Sequence, residues 1–147
     1  MEAPLKAWVE ETALLFEGAG LPRMAGRVLA WLLVADPPEQ TAKEMGEALG
    51  VSKGALSPAL HLLTRLGLVE RLRRPGERAD RYTIRPGAWR KLLLEKTRAL
   101  SLYREAAERG LALLPPGKGE RLREMHRLYA FFERALPGLL ERYEEEE

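Results

Sequence analysis

Between Thr41 and Gly67 the chain reads "TAKEMGEALGVSKGALSPALHLLTRLG", and the spacing of its apolar residues restricts the fold more than any other stretch. Thr41 and Glu44 stand at capping-box spacing, Met45 and Leu49 are one turn apart, and Gly50 follows as a helix stop. The first half therefore predicts a helix of about two turns. The second half places Leu56, Leu60, Leu63 and Leu66 on one side of another helix, closed at Gly67. Two short amphipathic helices joined by a tight turn make a helix-turn-helix.

Pro58 stands in the middle of the second helix. An interior proline removes one backbone donor and presses on the carbonyl four residues earlier, at a cost of about 3 kcal/mol. Two arrangements accommodate it. Either the helix starts just after Ser52 and Gly54, which lacks a Cβ, absorbs the clash, or Ser57 is the N-cap and Pro58 the first helical residue. The earlier start is favoured, and it alone places Lys53 and Ser57 on one surface.

After this pair come "LVERLRR", "PGERAD" and "RYTIR", two strand-like flanks around a Pro75-Gly76 turn. From Arg65 to Arg85 seven arginines face Glu70, Glu77 and Asp80, a local balance of +4, although the whole chain carries only +2. A helix-turn-helix followed by a basic β-hairpin is a winged helix. The glutamate-rich end has the opposite sign: five glutamates from Glu141 onward stand against Arg142, and this end reads as solvated and frayed.

The remaining segments are helical. Leu5, Trp8, Val9, Thr12, Leu15 and Phe16 mark a first amphipathic helix, and "PRMAGRVLAWLLVAD" a second, with Ala25, Val28, Leu29, Leu32 and Leu33 on one face. A long helix runs from about Trp89 to Leu114, and a last one carries Leu122, Met125, Tyr129, Phe132, Leu136, Leu139 and Tyr143 at heptad spacing, with a kink or break expected at Pro137. The expected architecture is thus mainly α: a helix at 1–20 contributing to dimerisation, a winged helix-turn-helix with a two-stranded wing at 21–87, and a helical dimerisation region at 88–147. The flanking helices are too long and apolar for one small domain, so a second copy of the chain is expected against Leu5, Trp8, Leu100, Tyr103, Leu122, Met125, Tyr129, Phe132, Leu136 and Leu139.

On the proline-bearing helix, Lys53, Ser57, His61 and Arg65 recur every four residues opposite the leucines, with Gly54 and Ala55 small enough for close approach. Such a face fits the major groove of double-stranded DNA, and Arg73, Arg74, Arg78 and Arg81 of the hairpin suit phosphates or the minor groove, or pairing with Glu77 and Asp80 within the hairpin, or both. The alternative is an interaction module whose basic surface meets an acidic protein. Enzymatic chemistry finds no support: "GKGE" lacks the rest of a phosphate-binding loop, His61 and His126 lack metal-ligand spacing, and there is no cysteine. No metal and no cofactor are expected. Aromatic residues between helices leave room for a small-molecule effector, which nothing in the sequence identifies. The N-terminus lacks a basic, uninterrupted leader, and "VLAWLLVA" is far too short to span a membrane, so a cytoplasmic protein without membrane contact is expected.

The stretches "GLPRMAGRVLAWLLVADPP" (20–38) and "AKEMGEALGVSKGALSPALHLLTRLGLVERLRRPGERADRYTI" (42–84), with the course of the following helix, resemble the GbsR-type branch of the MarR family of winged-helix transcriptional regulators. At "LSPAL" the run is similar to PadR-type winged helices. The resemblance implies a homodimer that binds operator DNA, with Ser52, Lys53, Gly54, Ala55 and Ser57 in the reading helix and Arg73 to Arg81 in the wing.

Overall fold

Thr41 serves two elements at once, and that double use organises the N-terminal half. In the computed structural model, which describes residues 1–146, strand β1 is Gln40–Thr41 and the helix that follows directly is Ala42–Leu49. Thr41 Oγ1 accepts from Glu44 N at 3.1 Å, and Glu44 Oε1 accepts from Thr41 N at 3.2 Å. Two otherwise unpaired helix-end donors are satisfied by this box. Gly50 ends the helix with φ +70°.

In chain order the elements are α1 (Ala3–Gly18), α2 (Arg23–Val34), β1, α3 (Ala42–Leu49), α4 (Lys53–Arg65), β2 (Val69–Leu72), β3 (Arg81–Ile84), α5 (Ala88–Leu113) and α6 (Glu120–Glu146). They divide into one unit, Met1–Ala88, and a second that begins at Trp89.

In the first unit, α1 packs on α2, and α2 on α3 and α4. Val9, Val28, Leu29, Met45, Leu56 and Leu63 are buried in its core. Leu33, expected on the inner face of α2, is instead 37% exposed, while Ala30 and Leu32 are buried. Gly26 lets the two first helices approach closely: a Cβ there would lie 2.9 Å from the Ala13 carbonyl. Arg27 ties three helices together, pairing with Glu10 at 2.9 Å and donating to the Leu49 carbonyl at the end of α3 at 2.8 Å.

The hairpin expected from the sequence gains a third strand. The sheet order is β1-β3-β2, with β1 antiparallel to β3 through Gln40↔Tyr82 and Thr41↔Arg81. A two-residue strand is too short to show alternation, which is why it left no mark in the sequence pattern. Gln40 is anchored by its side chain, accepting from Trp31 Nε1 at 3.1 Å and donating to the Pro37 carbonyl at 2.8 Å.

In the second unit α5 and α6 face each other. Tyr103 and Tyr129 stack at 4.8 Å, Leu122 lies against Gly110, and Ala107 and Ala130 are buried. Charged side chains run along the same contact: Arg104 pairs with Glu108 at 2.8 Å and with Glu133, Ser101 donates to Glu133 at 2.9 Å, and His126 lies 3.0 Å from Glu108. Hydrogen bonds from Arg104 and then Ser101 hold Glu133 below the usual carboxylate range, and bonding to His126 and then Arg104 does the same for Glu108. Helix α6 runs through Pro137 without the break that was one of the two outcomes expected there. The missing donor leaves only the Glu133 carbonyl without its helical bond, a loss confined to one turn. The glutamate-rich end is exposed but helical through Glu146, not frayed, and Glu144 pairs with Arg90 at 2.8 Å.

Candidate nucleic-acid interface

Helix α4 begins at Lys53. Ser52 is its N-cap, in extended conformation, with Oγ accepting from Ala55 N at 3.2 Å. Of the two starts open to the sequence, the structure takes the earlier one, and Pro58 lies inside the helix on its exposed side. The first ladder bond runs from Leu56 N to the Ser52 carbonyl at 3.2 Å. Pro58 removes the donor that would have reached the Gly54 carbonyl, and Gly54 is itself exposed, so water can take that place.

The two faces of α4 differ sharply. Leu56, Ala59, Leu60 and Leu63 are buried, and Leu66 just beyond is half-buried. Ser52, Lys53, Gly54, Ala55, Ser57, His61 and Arg65 are all exposed. Among the described residues Lys53 and Arg65 have no acidic partner. The leucine face anchors the helix by apolar burial, which leaves the polar face free of structural duty.

A concavity of about 600 Å³ lies beside this face, lined by Lys53, Ser57, His61, Thr64, Arg71 and Tyr82 among others. Arg71 and Tyr82 are directly opposite each other across β2 and β3. Neither was singled out from the sequence as a site residue. Their shared position on the hairpin depends on the β2–β3 register, across a connection in which Pro75-Gly76 makes a tight turn.

That turn has Glu77 N donating to the Arg74 carbonyl at 3.1 Å, with Pro75 second and Gly76 third at φ +81°. This is the type II pattern, whose third position requires a positive φ. The arginines around it differ in availability. Arg73 donates to Asp80 at 2.8 Å and Arg74 to Glu39 at 2.9 Å. Arg71 is 3.8 Å from Asp80. Arg78 is exposed and has no acidic partner among the described residues.

Arg81, expected to reach DNA with the other three, is turned inward, its side chain only 14% exposed. It donates to both Glu77 oxygens, to Glu44 Oε1 and to the Glu39 carbonyl. Its hydrogen bond holds Glu77 below the usual carboxylate range, against the opposing effect of partial desolvation. The local +4 balance omitted Glu39 and Glu44, acids that the fold brings in from outside the counted stretch.

The residues expected to meet a second copy lie in both units. In the first, Leu5 is half-buried and Trp8 is 39% exposed on α1. In the second, Leu100, Leu122, Met125, Tyr129 and Leu136 are half-buried, whereas Tyr103, Phe132 and Leu139 are exposed. Leu122, Tyr103 and Tyr129 already make contacts within the α5–α6 pair.

A helix-turn-helix with an exposed polar reading face, followed by a hairpin wing, defines a winged-helix DNA-binding protein. Comparison with known proteins agrees. Residues 19–79 match the MarR family model, and residues 87–146 match the model of MmpR5-like MarR family transcriptional regulators. The HTH-type transcriptional regulator MmpR5 of Mycobacterium tuberculosis is 37% identical over 145 residues, covering 97% of this chain and 88% of the relative. A crystal structure of a transcriptional regulator superposes with a TM-score of 0.71 at 36% identity, covering 97% of this chain and 99% of the other. MepR of Staphylococcus aureus, regulator of the MepA multidrug efflux pump, matches at 16% identity with a TM-score of 0.46, over 92% of this chain and 90% of its own. The chain belongs to the MarR family of winged-helix transcriptional regulators and is a DNA-binding regulator. Among the described residues no helix is long and apolar enough to cross a membrane.

Proposed function

We propose that the chain is a homodimeric repressor that reads a pseudo-palindromic operator in duplex DNA. The observation that carries this reading is the polar face of α4: Lys53, Ser57, His61 and Arg65 all exposed, opposite leucines that are fully or nearly fully buried. In this reading Ser52, Lys53, Gly54, Ala55, Ser57 and His61 approach base edges and the nearby backbone, and Arg65 a phosphate. Arg73, Arg74 and Arg78 lie along the flanking groove, with Arg78 the wing cation that is ready to act. The finer likeness to the GbsR-type branch rests on the quoted stretches alone.

The second copy is supported by large apolar side chains left exposed, among them Trp8, Tyr103, Phe132 and Leu139. Large apolar side chains left exposed within one unit, such as Tyr103, Phe132 and Leu139, suit an association face. Paired reading helices then address half-sites about 34 to 36 Å apart. A cleft of about 520 Å³ between α5 and α6, with Leu93, Leu94, Leu136 and Leu140 beside charged residues such as Arg90 and Glu133, offers space for an effector of unspecified identity. A regulator of this kind works in the cytoplasm.

Selection of bound duplexes from a random pool, followed by gel-shift titration and transcription from a promoter carrying the selected site, tests the proposal. Enrichment of a two-fold sequence that the protein binds and silences is expected. Binding to no duplex better than to competitor at moderate salt overturns it, and an interaction module would enrich no palindrome.

A further inference from the structure

We infer that Arg81 is a positioning residue that holds the wing against the helix-turn-helix, so that the wing meets DNA in register with α4, and that it does not itself touch the duplex. The inference rests on the DNA-reading surface proposed above and adds the device that sets its shape. Arg81 opens β3, and its guanidinium joins three separate segments. Nε donates to Glu77 Oε2 at 2.8 Å and Nη2 to Glu77 Oε1 at 3.2 Å, a bidentate grip on the wing loop. Nη1 donates to the Glu39 carbonyl at 3.0 Å, at the edge of β1, and to Glu44 Oε1 at 3.1 Å.

Glu44 Oε1 is the atom that also accepts from Thr41 N in the capping box. One carboxylate oxygen therefore closes the N-terminus of α3 and receives the wing. The planar guanidinium suits this task because its fork presents donors in several fixed directions, which a lysine ammonium on a flexible stem does not reproduce. Arg78 and Arg81 are three residues apart and have opposite situations: among the described residues Arg78 is exposed without an acidic partner, and Arg81 is engaged on all sides.

Direct contact and positioning predict opposite signs for one substitution. If Arg81 were a DNA contact restrained by acids, Glu77→Gln would remove a negative charge near phosphate and release the guanidinium, so binding would tighten. If Arg81 positions the wing, Glu77→Gln loosens it and binding weakens despite the more favourable net charge. The experiment measures affinity of wild type, Arg81→Lys, Arg81→Ala, Glu77→Gln and Glu44→Gln for a duplex selected by the wild-type protein, with thermal unfolding alongside. Glu44→Gln keeps a side chain able to complete the capping box. Arg81→Ala, Arg81→Lys and Glu77→Gln are each expected to weaken binding, by on the order of tenfold for the alanine variant, as for loss of a charge-assisted hydrogen bond. Glu77→Gln and Glu44→Gln should keep the wild-type unfolding temperature within a few degrees. Tighter or unchanged binding by Glu77→Gln overturns the inference while leaving the DNA-reading surface in place. A wild type that selects no duplex overturns the surface itself.

Discussion

Two basic surfaces lie beside each other in the N-terminal unit, the reading helix α4 and the wing, and they hold their charge in different ways. On α4, Lys53 and Arg65 project from a helix anchored by leucines, and among the described residues no carboxylate pairs with them. On the wing, Arg73, Arg74 and Arg81 each hold an acid. A helix can bury one face and leave the other unencumbered, whereas a hairpin of four-residue strands has little apolar area to bury and is held partly by its ion pairs. Charge that is present in a segment is therefore not the same as charge available to a partner.

The largest effect should come from the apolar anchor on which the reading helix depends. Leu63 is fully buried, and Leu63→Ala is expected to cost about 2 to 5 kcal/mol, read as a lower urea midpoint, with loss of binding wherever the variant is unfolded. An unchanged midpoint would show that the leucine face does not hold α4. Next is the free charge on the other face. Lys53→Glu should weaken specific binding by about 1 to 3 kcal/mol with the urea midpoint nearly unchanged. Equal affinity in a gel-shift titration would remove Lys53 from the interface.

Within the wing the comparison becomes one of slopes. Arg78→Gln is expected to reduce the dependence of log affinity on log salt by about 0.9, one phosphate contact, on specific and random duplexes alike. Arg74→Gln should change it less, because Glu39 already holds that guanidinium. Equal slopes for the two variants would mean that DNA displaces the Glu39 pair completely.

The smallest effect is a titration. Hydrogen bonding from Arg81 places the folded pKa of Glu77 below its ordinary 4.5, so this pair contributes stability that is full above the unfolded value and is lost as pH falls through the lower, folded value. Carboxyl carbon shifts measured by NMR should give a Glu77 midpoint below 4.5 in wild type and a return toward it in Arg81→Gln. A wild-type midpoint at the ordinary value would show that the wing pair does not form in solution. Among the described residues Lys53 and Arg65 have no corresponding carboxylate to report.

Much of the local structure around α4 and the hairpin was legible in advance. The capping box at Thr41 and Glu44, the stop at Gly50, the Ser52 cap and the Pro75-Gly76 turn are each set by residues a few positions apart. What escaped was non-local. β1 is a strand because Gln40 and Thr41 meet Tyr82 and Arg81, and two residues carry no periodicity of their own. Arg71 and Tyr82 join the concavity beside α4 only once β2 and β3 are in register. At Pro137 local chemistry allowed a kink or a break, and the turns on both sides carry the helix across without the break.

The order of the helices, their caps, the hairpin turn and the polar face of α4 were determined by the sequence itself, because each follows from side chains within about one helical turn of one another. The tertiary structure added the distant acids: Arg73–Asp80 and Arg81–Glu77 pair within the hairpin, but Arg74–Glu39 and Arg81–Glu44 do not. Glu39 and Glu44 stand 35 and 37 residues from Arg74 and Arg81, and only the closing of β1 onto β3 and the seating of α3 bring those charges together.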